Sequence, residues 1–260
     1  MAPFEAPITE EHTPSLASQR VIIALCLLLM ATVSCAWLYE HALQLRSTAP
    51  MQAPRFWRYV PANGLMWFIM MLAMMLPAIT PTIFLYARFA LASANVAKST
   101  LVILAAYLSV WAGFSVIAAV AQFLLVQSGV ATQADVVIGD KRIMGLLLVL
   151  AGVYQFSKLK ALCLESCRSP LPFVMRRWKP GWQGAFSIGL HHGLHCIGCC
   201  WLLMAVLFVG GVMNLTWLVA LAILVLTENT VPYGNRIGQA AGVIALVWGV
   251  VLLVSSQFIR

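Results

Sequence analysis

Seven stretches of mostly apolar residues, at 21–39, 64–87, 101–127, 143–158, 184–208, 214–231 and 237–257, recur along the chain. About 20 such residues suffice to carry a helix across a bilayer core. Composition agrees, since 62% of the chain is hydrophobic and 9% charged, where a soluble domain is about a quarter charged. The expected fold is therefore all-α: a polytopic transmembrane helical bundle of about seven spans. The fourth run is short and is expected to continue as an amphipathic helix past Lys158.

Residues 20–260 read as a single integral membrane domain, preceded by a disordered cytoplasmic tail at 1–19 that is polar and acidic. The run led by Arg20 resembles a signal anchor. It lacks a convincing small-residue cleavage site and is read as a helix. Gly234, Gly238 and Gly242, spaced by four, suit a close-packing face on the last helix. No nucleotide-binding motif occurs, which argues against an ATP-driven pump.

The net charge of +8 reflects loop orientation and not a nucleic-acid partner. With seven spans, the amino-terminal side holds ten basic residues: Arg20, Arg88, Lys98, the six from Lys158 to Lys179, and Arg236. The other side holds six: Arg46, Arg55, Arg58, Lys141, Arg142 and Arg260. The positive-inside rule then puts the amino terminus in the cytoplasm and the carboxyl terminus outside. The expected location is the inner membrane of a bacterium, with the lipid bilayer as the principal partner.

Chemistry concentrates in the fifth run, GLHHGLHCIGCCW from Gly189 to Trp201. Three of five histidines and three of seven cysteines fall within ten residues. At about 100° per residue, His192, His195, Cys196, Cys199 and Cys200 share one helical face. His191 lies at its edge, and Trp201 points the other way. Histidine inside a membrane is costly and calls for a partner or a function. Cys26 and Cys35 in the first run, by contrast, read as small buried hydrophobes.

Cys163 and Cys167, at i and i+4 in LKALCLESCRSP, are expected at the cytoplasmic membrane surface near the entry of the fifth span. Glu228 in the sixth run is a carboxylate that can orient a ligating histidine, or an interfacial residue facing water. Met66, Met70 and Met74 lie within about 80° of one another on the second helix. They are accessory soft donors or flexible core filler. Pro77 and Pro81 are expected to kink that helix.

Four segments carry a resemblance: W-x-x-M-x-x-A-M-M-L-P (Trp67 to Pro77), YQFSKLKALCLESCRSP (Tyr154 to Pro170), GCCWLLM (Gly198 to Met204) and GVMNLTW (Gly211 to Trp217). Together they resemble the DUF2182 family of metal-binding integral membrane proteins, some of whose members are labelled copper chaperones. The resemblance implies metal-site roles for Cys163, Cys167, His192, Cys196, Cys199 and Cys200, with Glu228 close by. The chain departs from the pattern at His195, where an aromatic residue is expected, and at Asn229, where a basic one is.

The function expected is soft-metal binding, foremost Cu(I), in delivery, assembly or handling, with a metal-donating or metal-receiving protein as a further partner. The metal set is Cys163, Cys167, His191, His192, His195, Cys196, Cys199 and Cys200. No catalytic residue is assigned. Zinc also suits a closed Cys/His site. The alternative is a thiol–disulfide relay across the membrane, since Cys196-Ile-Gly-Cys199 is a CxxC. Haem is the least favoured cofactor: CxxCH is missing, and His191 and His195 share one helix.

Overall fold

The computed structural model describes residues 55–89, 96–133, 136–179 and 181–258. The expected tail at 1–19, the first apolar run at 21–39, Cys26 and Cys35 lie outside the described residues. Among the described residues nine helices follow in order: α1 Phe56–Phe89, α2 Val96–Gln127, α3 Lys141–Gln155, α4 Lys158–Arg168, α5 Pro170–Arg177, α6 Trp182–Ala205, α7 Leu207–Gly210, α8 Leu215–Thr230 and α9 Gly234–Phe258. Extended pairing among the described residues is limited to one bridge, Ala131 with Ile138. The described residues are all-α, as expected.

The count of about seven spans is not reached among these residues. Four helices are long and apolar enough to cross a membrane, over Phe56–Tyr86, Lys98–Gln127, Trp182–Gly210 and Gly234–Gln257. They become five if α3 and α4 form one broken span. At 16 residues, α8 rises about 24 Å, short of a hydrocarbon core of about 30 Å. Helix α1 runs unbroken through Pro61, Pro77 and Pro81.

The break between α3 and α4 has a local cause. Ser157 adopts an extended backbone, and its hydroxyl accepts the Lys160 N–H at 3.1 Å, capping a new helix. That helix leaves at 62° to α3. The run at 143–158 therefore does not continue straight past Lys158 but restarts in a new direction. Asp140 and Asn214 cap α3 and α8 in the same way. Pro170 opens α5 at its first turn, where a missing N–H costs nothing.

Antiparallel α1 and α2 meet at a polar knot near one end of the bundle. Trp67 donates its indole N–H to Gln122 at 2.7 Å, and the Gln122 amide donates to Tyr59 and Asn63 at 3.0 Å each. The buried glutamine is thus fully engaged, as burial requires. Helices α3 and α9 pack backbone to backbone. A Cβ added at Gly242 would stand 2.7 Å from the Gln155 Cβ, and one at Gly249 would stand 2.7 Å from the Gly145 carbonyl. Of the expected small-residue face of the last helix, Gly242 lies in this seam, whereas Gly234 and Gly238 pack against Glu228 of α8. Between α1, α2 and α6, with α4 and α5 closing over them, lies a core that includes Trp67, Met71, Met75, Tyr107, Trp111 and His192.

Candidate metal centre

Helix α6 delivers its stripe inward. His192, Cys196, Cys199 and Cys200 are all buried, while Trp201 on the opposite face is 43% exposed. His191 and His195 are half-buried. Each holds its Nδ1 against a carbonyl one turn back, His191 to Ser187 at 2.8 Å and His195 to His191 at 2.7 Å. A carbonyl only accepts, so Nδ1 carries the proton and, in the neutral ring, Nε2 keeps its lone pair. The thiols of Cys199 and Cys200 both donate to the Cys196 carbonyl at 3.0 Å.

Helix α4 brings the third thiol of the cluster. The sulfurs of Cys167, Cys196 and Cys199 all lie within 4.8 Å of one another, and all three residues are buried. Cys163, one turn earlier, rests on Gly198, where an added Cβ would stand only 2.6 Å from its sulfur. Glycine at that point lets α4 reach α6. Tyr154 of α3 donates to the Gly198 carbonyl, tying the CxxC turn to a third helix. Cys163, His191, His192, His195 and Cys200 fall outside the group of three.

Cys196 sits midway along the apolar stretch Trp182–Gly210, about 21 Å along the helix from Trp182. Helix α4 brings the Cys167 sulfur alongside it. Phe173 of α5 then lies against His192 and His195, with ring centroids 5.5 and 5.7 Å away.

His192 itself is fully enclosed, and neither ring nitrogen has a hydrogen-bond partner. Glu228, expected to orient a histidine, is engaged elsewhere. It pairs with Lys160 at 2.7 Å and accepts from Gln155 at 3.1 Å, all three residues being buried. Lys160 also donates to Gln155. Glu228 is therefore held without a basic residue at position 229. Arg168 donates to the Val231 and Pro232 carbonyls at 2.7 and 2.6 Å, so α4 is anchored near both ends to the end of α8 and the turn after it.

Met66, Met70 and Met74 are buried in the core. The methionine whose sulfur meets the cluster is Met75, 3.8 Å from the Cys196 sulfur. The helical period alone does not say which face of α1 turns towards α6. Tyr107 of α2 was also unforeseen. It donates to the Met75 carbonyl at 2.8 Å and stands 3.5 Å from the Cys196 sulfur.

Chemically, the donors suit a soft ion. Thiolates are costly to bury without a cation, and sulfur-rich sites take Cu(I) or zinc over magnesium or calcium. The orphaned imidazole of His192 lies one turn before Cys196 on the same buried face of α6. A family model described as PpoB2, copper chaperone, matches residues 64–252. The chain belongs to this copper-chaperone family. All residues of the thiol cluster, with His192 and Met75, fall inside the region that the copper-chaperone model matches. No curated protein and no solved structure matches the chain.

Proposed function

We propose that this protein is an integral membrane Cu(I)-binding protein that holds copper within the bundle and passes it to or from a partner metalloprotein. Cys167, Cys196 and Cys199 form the heart of the site, with the buried, unpaired His192 as a nitrogen donor candidate. Cys163, Cys200, His191 and His195 serve the approach of the ion. The observation that carries this reading is the convergence of three buried thiols from two helices within 4.8 Å. Membership of a family described as copper chaperone supports copper as the cargo, and the resemblance of the four motifs to DUF2182 points the same way. Each thiol loses its proton as the metal enters, so binding releases protons.

The test is anaerobic purification in detergent, followed by metal analysis and a thiol count. Wild-type protein should bind Cu(I) stoichiometrically, and Cys199→Ser should lose it. The same three sulfurs lie close enough to suggest disulfide exchange, which makes a redox relay the rival reading. Protein without copper, carrying a Cys196–Cys199 disulfide that cycles with reductant, would establish the relay instead.

A further inference from the structure

Three thiols leave open which soft ion is preferred, since zinc and copper both accept such a set. The decisive neighbour is a fourth sulfur. Met75 is fully buried on α1, and its thioether lies 3.8 Å from the Cys196 sulfur. Two sulfurs each about 2.3 Å from one tetrahedral ion stand about 3.8 Å apart, so this separation, an S–H···S contact without metal, lets both sulfurs share one ion. Met75 is not placed there by loose packing alone. The Tyr107 hydroxyl grips the Met75 carbonyl at 2.8 Å while lying 3.5 Å from the same cysteine sulfur, fixing α1 to the thiol cluster through α2.

We infer that the Met75 thioether is a ligand of the same ion, completing a sulfur site drawn from α1, α4 and α6 that selects a monovalent soft cation over zinc. This rests on the copper-binding reading above and deepens it. A thioether has no proton to lose and brings no negative charge. It contributes to a polarisable ion such as Cu(I) or Ag(I), but does little for Zn(II), whose protein ligands are Cys, His, Asp and Glu. Adding Met75 therefore raises copper affinity while leaving zinc affinity where the thiolates set it.

The experiment compares purified full-length wild type with Met75→Leu and, as a control within the same helix, Met70→Leu. Leucine conserves volume well enough that core swaps of this kind are usually tolerated. Cu(I) affinity is read by competition with a chromogenic copper chelator, and Zn(II) affinity by competition with a zinc chelator. Met75→Leu should weaken Cu(I) binding by about tenfold or more, leave Zn(II) within about twofold, and differ in this from Met70→Leu. Unchanged Cu(I) affinity in Met75→Leu, with wild type binding copper, overturns the thioether ligand and leaves the copper reading intact. Wild type that binds no Cu(I) overturns both. Should Met75→Leu fail to fold, X-ray absorption of Cu(I)-loaded, selenomethionine-labelled wild type decides the matter. A copper–selenium vector supports the ligand, and a spectrum with sulfur and nitrogen scatterers alone rejects it.

Discussion

A buried imidazole with both nitrogens unpaired costs stability, because an unmet polar group in a dry interior forfeits about 1–3 kcal/mol. His192 is such a group, walled by Tyr107 and Phe173 with ring centroids 5.8 and 5.5 Å away. A metal ligand repays that cost only when the ion is present, and the prediction follows. His192→Phe should leave the metal-free protein as stable as wild type or more so in thermal unfolding, while bound copper falls. A variant that keeps full copper would make His192 a packing residue. Copper should also leave wild type as pH is lowered, by about tenfold in affinity per pH unit for each thiol proton displaced. Equilibrium dialysis across a pH series checks this, and a flat profile would contradict thiolate ligation. The α6 donors were legible beforehand because a 3.6-residue period puts them on one face whatever the surroundings. Met75 was not, because its role depends on how α1 is rotated against α6, which no property local to α1 reveals.

The element that matters most is α4, and its position is held by charge. Lys160 and Glu228 pair at 2.7 Å with each 3% exposed or less, and Arg168 grips the α8–α9 turn at the other end. Breaking a buried pair by removing one partner costs about 3–5 kcal/mol, because the survivor stays charged and uncompensated, whereas replacing both with apolar groups is often neutral. Glu228→Ala should therefore loosen α4 and expose Cys167 to alkylation by a small maleimide, with weaker copper binding. Lys160→Met combined with Glu228→Leu should restore protection of Cys167. Equal Cys167 reactivity in wild type and Glu228→Ala would show that the pair does not position the helix. The separate identity of α4 was only partly readable. Ser157 ahead of an amphipathic segment is a capping signal, but the 62° turn and the placing of Cys167 beside Cys196 come from contacts with α6 and α8.

At the scale of the whole molecule, the bundle has two chemically unequal ends. Tyr86 near the end of α1 lies against Trp178 just past α5, with centroids 5.0 Å apart, so the end of α1 and the basic segment after α3 share one end. That end gathers Lys98, Lys158, Lys160, Arg168, Arg176, Arg177, Lys179 and Arg236. At the other end, where Phe56 of α1 meets Phe123 of α2, lie Arg55, Arg58, Lys141 and Arg142. The antiparallel seam of Gly152 with Gly242 and Gly145 with Gly249 sends the end of α9 to this second, less basic face. The asymmetry no longer depends on a count of seven crossings, since it is set by which helix ends meet. Basic residues near membrane helices are retained in the cytoplasm, so the end of α9 should face outward and the α4–α5 end inward. A carboxyl-terminal alkaline phosphatase fusion should be active in cells, and a green fluorescent protein fusion at the same point should stay dark. Bright fluorescence with an inactive phosphatase would reverse the orientation.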